Sequence, residues 1–520
     1  MSYIYQNFYE MFNASYHKGK KSIAIYGEGY KRSYGELKFE IDAVAAYLQS
    51  SGVGFGDKVA MIVSNSEEFI TSYFAISAIG AVAVPINTFL KYEEFEYILN
   101  DCSAKILFAT ASLAKEIKGL ENKTNIKKII WIGDFENLNE TNISFNQARM
   151  CKIELNLTKQ PTLDDLAHII YTSGTTGKPK GAMLSYRNVF SNIMGAMELF
   201  YIGKKDRFMV FLPMFHSFTL TVMILLPIFS ASSMILVKSV FPFSNVLKQT
   251  LLKRATIFLG VPAIYTAIGK AKIPWYFKWF NCVRLFISGA APLAEQTIID
   301  FKKKFPRAKL LEGYGLSECS PAVAINPSNR QKIASVGLPL PGYEIKIVND
   351  EMMEVSVGEV GEIIVKGDCV MQGYLNMPDA TDETIMNGWL RTGDLGKVDE
   401  DGYLFIVDRK KDLIISKGIN VYPREIEEVL FKIETIEAAA VVGIRDAHAD
   451  EEVVAFIQFK DDMSTDEKTI RAHLKKHLAN FKIPKHIHFV KELPKNATGK
   501  VLKRVLKDQI AKGELSEISS

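Results

Sequence analysis

"YTSGTTGKPKGA", residues 171–182, decides how the rest of this chain is read. Glycines at 174, 177 and 181 free the backbone to bend so that successive N–H groups converge on one centre, and Lys178 and Lys180 add positive charge beside it. That combination describes a phosphate cradle. The preceding "LAHII" (166–170) has the apolar character of a buried strand, so the cradle leaves a strand end, where ligands of α/β proteins bind. It is not a P-loop of the G-x-x-x-x-G-K-[ST] kind. Only two residues separate Gly174 from Gly177, and Pro179 stands where a magnesium-binding hydroxyl would follow the lysine.

Working outward, "SYGELKFEIDAVAAYLQSSGV", "GDKVAMIV" and "AISAIGAVAVPIN" alternate helical periodicity with short β-branched runs between Ser33 and about Asn87. "AKILFA", "KKIIWIG", "SSMILV" and "VRLFISG" continue that rhythm, which predicts layered α/β structure up to about residue 330. Between about 333 and 408, Gly-rich turns separate "YEIKIV", "GEIIVKG" and "YLFIVD", an antiparallel sheet or small barrel. From about 412, "PREIEEVLFKI", "IEAAAVVGI", "EEVVAFIQF", "TIRAHLKKHL" and "HIHFV" rebuild a compact pattern, read as a separate small α+β domain.

Composition narrows the classes. At 48% hydrophobic and 23% charged residues the chain is an ordinary globular protein, and 520 residues exceed what one core organises, so at least two domains are expected. A net charge of +4 gives no case for nucleic acid. Cys102, Cys151, Cys282, Cys319 and Cys369 lie far apart with no CxxC pair, which argues against a zinc site or a disulfide scaffold and for free thiols in a reducing cytoplasm. The N-terminus lacks the pattern of a signal peptide. The uncharged run 220–237 approaches membrane-span length, but Pro227, Ser230, Ser232 and Ser233 divide it into a buried helix, a turn and a strand. "PWYFKWF" (274–280) reads either as a packed helix start or as an interfacial membrane anchor.

Three further loops carry chemistry. "LEGYGLSECSP" (311–321) holds Glu318, a hard carboxylate suited to magnesium carried by a nucleotide phosphate. "WLRTGDLG" (389–396) places Asp394 where it can accept from both hydroxyls of a ribose, and Arg409 and Lys411 follow. "PKNATGKVLKR" puts Lys500 on a loop near the end, a long cationic side chain able to reach a site built by the other domain.

Together, and in this order from "SYGEL" to "TGKVLKR", these motifs resemble the adenylate-forming superfamily of acyl- and aryl-CoA synthetases, luciferase and peptide-synthetase adenylation domains, most like its medium- to long-chain fatty-acid CoA ligases. The resemblance implies an α/β fold with a large N-terminal domain (1–410) of layered α/β subdomains plus a small antiparallel barrel, followed by a small mobile α+β C-terminal domain (411–520) hinged at Lys411. It implies that Thr172, Ser173, Gly174, Thr175, Thr176, Gly177 and Lys178 hold the β- and γ-phosphates of ATP, with Glu318 and Thr175 at the magnesium. Gly289, Ala290 and Ala291 of "SGAAPL" flank the adenine, Tyr314 stacks on it beside Gly315 and Ser317, and Asp394 and Arg409 hold the ribose. Lys500 matches the adenylation lysine, and Lys417 and Gly418 belong to the segment presented for thioester formation with coenzyme A.

The implied reaction converts a fatty acid and ATP into acyl-AMP and pyrophosphate, then into acyl-CoA and AMP by domain alternation. Catalysis would fall to Lys500, Thr175 and Glu318, with His216 at the acyl gate. Gly315 stands where acetate-specific relatives carry a pocket-closing tryptophan, which implies a deep pocket, and Phe218–Phe229 with "LGVPAIY" (259–265) resembles a tunnel lining. An acyl carrier protein acceptor, an aryl acid, a catalytically degenerate nucleotide- or acyl-binding protein and an integral membrane acyl transporter stay open as alternatives. So do a homodimer and peripheral contact with the inner face of a membrane.

Overall fold

A computed structural model of the chain describes residues 3–512 except 158, 174–177, 241, 271–274, 292, 307, 417–418, 446–450 and 496–499. Two large sheets organise the first three quarters of it. The first has eight strands in the order Gly373–Tyr374, Pro179–Ser185, Leu166–Ser173, Val82–Pro85, Lys58–Ile62, Ile106–Thr110, Lys128–Ile132 and Asn142–Ser144. The second has nine, running Leu338–Pro339, Ala322–Ile325, Leu310–Gly315, Leu285–Ser288, Ile257–Gly260, Arg207–Val210, Ser233–Leu236, Ile23–Tyr26 and Lys31–Ser33. In the second sheet the six strands from Leu310–Gly315 to Ile23–Tyr26 are parallel.

Local signals explain the helices. Helix Tyr34–Ser50 begins at a capping box in which Ser33 Oγ accepts the Glu36 N–H at 3.2 Å and Glu36 Oε2 accepts the Ser33 N–H at 2.7 Å. Helix Glu67–Ala78 is buried at every position but Glu68, because it is packed on all sides. Phe8 ties the layers together: its ring lies 4.7 Å from Tyr186, 5.3 Å from Phe190 and 5.9 Å from Tyr73, within one apolar core that takes residues from both sheets.

The β-rich region is a five-stranded antiparallel sheet of Glu344–Val348, Gly361–Lys366, Ile385–Met386, Trp389–Val398 and Leu404–Arg409. One piece departs from the expected boundary. Gly373–Tyr374 leaves this sheet to pair with Ala182 and Met183 of the first large sheet. From Ile414 onward the chain buries its apolar residues in clusters of its own. Strands Ile436–Arg445 and Glu451–Phe459 present Val441, Ala455 and Ile457 to one side and Ala440, Val454 and Phe456 to the other, the period of two that lets helices cover both faces.

The apolar run at 220–237 folds as expected into helix, turn and strand, with one refinement. Residues Thr219–Leu225 form a π-helix, and Pro227 marks its change into the α-helical turn Leu226–Phe229 rather than an end. Among the described residues no helix is long and apolar enough to cross a membrane. The cysteines are free thiols.

Tyr265, fully buried, donates its hydroxyl to the carbonyls of Phe258 at 3.1 Å and Ile287 at 2.7 Å and so ties together two strands that lead to the site. Tyr265→Phe is expected to lower stability by about 1 kcal/mol, measured as a shift in the denaturant midpoint.

Candidate functional site

Elements of both large sheets and of the antiparallel sheet meet where the parallel strands end. The stretch 171–182 forms a β-hairpin: Tyr171, Thr172 and Ser173 pair with Gly181, Lys180 and Pro179. Gly174, Thr175, Thr176 and Gly177 lie outside the described residues. The cradle thus leads from strand to strand, where a Walker A loop leads into a helix. Lys178 Nζ sits 5.6 Å from the Tyr97 ring and Lys180 Nζ 5.0 Å from the Tyr374 ring.

Glu318 faces this hairpin. It sits in the 3₁₀ turn Ser317–Cys319, and its carbonyl accepts the Met371 N–H at 2.9 Å. Its Oε1 accepts from Thr172 Oγ1 at 3.3 Å and from the Tyr374 hydroxyl at 3.0 Å. Ser317 shares a hydrogen bond with Ser217 at 2.9 Å. Among the described residues no three His, Cys, Asp or Glu side chains converge as a metal site. Glu318 is a hard carboxylate beside the Thr172 hydroxyl, a donor set suited to a divalent cation carried by phosphate oxygens.

Asp394 and Arg409 are register partners on neighbouring strands, and Arg409 Nε approaches Asp394 Oδ1 at 3.3 Å. The Tyr314 hydroxyl donates to Asp394 Oδ2 at 2.6 Å. Burial and then the Asp394 charge push the Tyr314 hydroxyl pKa well up, so it stays a donor. Gly289, Ala290 and Ala291 continue from strand Leu285–Ser288, and a Cβ at Gly289 would come within 3.5 Å of the Phe218 ring.

Lys500 arrives from the last hundred residues. Burial pushes its ammonium pKa down to about 7, helped by Arg409 and Lys411 and opposed by Asp394 and Asp412. Sequence-distant residues hold it there. The Arg424 N–H donates to Asp408 Oδ2 at 2.9 Å and its Nη1 donates to the Ile406 carbonyl at 2.9 Å. Lys503, three residues beyond Lys500, pairs with Glu427 at 2.8 Å, and Glu427 also accepts the Val441 N–H at 2.8 Å. Lys417 and Gly418 lie outside the described residues, between strands Ile414–Ser416 and Ile419–Val421.

The acyl-side expectations divide. Behind the site lies a narrow apolar cavity of about 40 Å³ with Phe218, Val222, Leu226, Ala196, Leu199 and Phe200 among its walls, and Asn192 as the polar residue of its lining. The π-helix contributes Val222 to this lining, and of 259–265 only Leu259 reaches it, since Tyr265 is core. His216 is not part of the lining; burial pushes its imidazole down to about 4, and its Nδ1 accepts the Phe218 N–H at 3.3 Å. Gly315 does not signal pocket depth. A Cβ there would lie 2.1 Å from the Pro321 carbonyl oxygen, so the close approach of two chain segments dictates glycine.

Residues 12–375 match the model of the AMP-binding enzyme family, and residues 425–500 match that of the AMP-binding enzyme C-terminal domain. The chain belongs to the AMP-binding, adenylate-forming enzymes. A long-chain-fatty-acid–CoA ligase of Salmonella typhimurium is 33% identical to it over 542 residues, covering 98% of this chain and 96% of that one. ATP-bound MatB from Rhodopseudomonas palustris is 33% identical, with a TM-score of 0.89 over 97% and 99% of the two chains. The anthranilate CoA ligase AuaEII in complex with anthranoyl-AMP is 28% identical, with a TM-score of 0.91 over 99% of each.

This AMP-binding enzyme also uses residues that its motifs did not reveal. Tyr374 stands 56 positions from Glu318 and carries no local signal. Glu312 lies inside a quoted motif, yet only the fold shows it buried, accepting the Leu293 N–H at 3.1 Å and pushed up to about 7 by burial, with Arg424 opposing the rise. Asp408 precedes Arg409 and Lys503 follows Lys500, so their signal was adjacency to an assigned residue.

A lysine with a pKa near 7 is largely an uncharged nucleophile at pH 8, whereas ordinary lysines near 10.4 stay protonated. Amine acylation mapped by mass spectrometry should therefore modify Lys500 with a half-maximal rate near pH 7, well before surface lysines react. A pH dependence like that of surface lysines would contradict this environment.

Proposed function

We propose that this chain is an ATP-dependent acyl-CoA ligase for medium- to long-chain fatty acids. The observation that carries the reading is Lys500 held in one partly buried place with the paired Asp394 and Arg409, although Lys500 comes from a distant part of the chain. A carboxylate is a poor electrophile until its oxygen joins a good leaving group, and attack on the α-phosphate of ATP supplies one. Lys500 offsets the charge that accumulates between the acyl carboxylate and that phosphate. Asp394 and Arg409 hold the ribose, Tyr314 and the Gly289–Ala291 segment take the adenine, and residues 172–178 the outer phosphates. Glu318, with Thr172 beside it and Thr175 from the loop, is where a magnesium ion would sit, and when bound it would counter phosphate charge.

The second half-reaction is thiol attack by coenzyme A on the acyl adenylate, giving thioester and AMP. No protein nucleophile is needed. The bonds of Arg424 to Asp408 and Ile406 hold the orientation that suits Lys500, and rotation about Lys411 would release them and bring Gly418 and Lys417 to the site. His216, neutral at physiological pH, touches the acyl side only through Phe218, whose N–H its Nδ1 accepts.

The cavity supports an aliphatic chain. Its wall on helix Tyr186–Phe200 runs from Asn192 to Phe200, about 12 Å at 1.5 Å per residue, and an extended alkyl chain advances roughly 1.3 Å per 1.52 Å bond. The helix wall is thus as long as roughly nine carbons, while the cavity of about 40 Å³ beside it holds only a small part of such a chain. The width must be opened by the acid, and the π-helical wall, with its weaker hydrogen-bond geometry, is the element able to yield. The likeness to an anthranilate CoA ligase favours aryl acids as a second reading.

AMP release with ATP, magnesium and coenzyme A should peak for an aliphatic acid of intermediate length rather than for benzoate or anthranilate. Lys500→Ala is expected to slow acyl-adenylate formation by about 10²-fold or more, and unchanged turnover would overturn the mechanism. Ala196→Phe, which fills the cavity, should move the preferred acid to shorter chains, each lost methylene contact being worth about 0.8 kcal/mol in kcat/KM. An unshifted profile would place the acyl chain elsewhere.

A further inference from the structure

The hairpin 171–182 has two faces, and Glu318 lies on one of them. Thr172 pairs with Lys180, and Tyr374 pairs with Ala182 on the neighbouring strand, so the alternation of side chains along a strand puts Thr172, Lys180 and Tyr374 on the same side. There Thr172 Oγ1 and the Tyr374 hydroxyl both donate to Glu318 Oε1, at 3.3 Å and 3.0 Å. Tyr171 and Gly181, the next register pair, point to the opposite side. A Cβ on Gly181 would lie 3.1 Å from Tyr171 Cζ, so glycine at this position lets the tyrosine ring lie across the neighbouring strand. The ring ends at Asp101, whose Oδ2 accepts its hydroxyl at 2.5 Å. Burial above all pushes the Tyr171 hydroxyl pKa up, so it stays a donor to that carboxylate.

Asp101 holds a second partner. Asn376 Nδ2 donates to the Asp101 carbonyl at 2.9 Å and to its Oδ1 at 3.2 Å. Asn376 stands two residues beyond Tyr374, in a left-handed turn of φ +54° that asparagine tolerates. Its segment runs beside the hairpin, with the Gln372 N–H donating to the Met183 carbonyl at 2.9 Å and the Leu375 N–H to the Gly181 carbonyl at 2.8 Å. One carboxylate therefore grips both the strand that carries Thr172 and the segment that carries Tyr374, the two residues that bond Glu318. The grip has a firm base. Asp101 ends helix Tyr92–Asp101, whose Phe95, Ile98 and Leu99 are buried in one core with residues of strands Lys58–Ile62, Val82–Pro85 and Ile106–Thr110.

We infer, on the reading of Thr172 and Glu318 as the outer-phosphate and magnesium side of the site, that Asp101 is a positioning residue for that side. Through Tyr171 and Asn376 it fixes the spacing of Thr172 and Tyr374, and through them the place of the Glu318 carboxylate. The nucleoside side is built elsewhere, since Asp394, Arg409 and Tyr314 belong to strands that Asp101 does not touch. Loss of the grip thus falls on ATP with its magnesium and spares AMP, which has no outer phosphates.

Calorimetric titration of the full chain with ATP plus magnesium, and separately with AMP, tests this without any acid or coenzyme A. Asp101→Ala and Tyr171→Phe are each expected to weaken ATP binding about tenfold while changing AMP binding less than about twofold. Tyr171→Phe keeps the ring over Gly181 and removes the hydroxyl alone, so it decides the matter even where Asp101→Ala fails to fold. The double variant Asp101→Ala/Tyr171→Phe is expected to bind ATP as Asp101→Ala does, because the bond between the two is already lost. Equal weakening of ATP and AMP would make Asp101 a support of the fold only and overturn the inference, as would unchanged ATP binding in Tyr171→Phe. Wild-type protein that binds AMP but gains nothing from the outer phosphates and magnesium would overturn the reading of Glu318 along with it.

Discussion

A lysine ammonium taken out of water is unstable unless something compensates it, and the site is built around that constraint. Lys500 sits with two cations, Arg409 and Lys411, and two carboxylates, Asp394 and Asp412, and burial wins enough to bring it to about 7. A nucleotide phosphate and an acyl carboxylate would restore the charge that desolvation removes, so binding and the chemistry that follows draw on one electrostatic imbalance. The imbalance depends on where the last hundred residues place Lys500, and the bonds of Arg424 to Asp408 and Ile406 tie that part of the chain to the antiparallel sheet.

The two edges of the nine-stranded sheet divide the labour. Parallel strands send their carboxyl ends to one side, where loops with few side-chain constraints collect Ser288–Ala291, Gly315–Glu318 and His216. The lead-in segments gather on the other side and have no share in that chemistry. The apolar cavity spans the height between the edges, since Phe208, Ile257 and Leu285 line it near the starts of their strands and Leu259 and Ile287 nearer the ends.

Much of this was legible from local patterns. The β-branched runs gave the strands because a strand buried on both faces has to be apolar throughout. Thr172, Glu318, Asp394 and Lys500 stood out because each occupies a Gly-punctuated stretch where a polar residue has no packing role. Gly315 shows the limit of such reading: its missing side chain resembled an open pocket, and the fold shows it to be required by the Pro321 carbonyl. Tyr374 was invisible for the converse reason. A tyrosine in a short β segment looks like any other until the strand it pairs with brings it against Glu318.

The sequence by itself determined the order of elements, the α/β class, the polar loops and membership in the adenylate-forming enzymes, because periodicity, turn chemistry and motif spacing act over a few residues along the chain. Only the tertiary structure decided that Lys500 lies within electrostatic reach of Asp394, that Glu312 is buried with Arg424 near it, and that the apolar cavity behind the site is narrow. Desolvation and Coulomb interaction depend on distance through space, and chain order does not encode that distance until the sheets are packed.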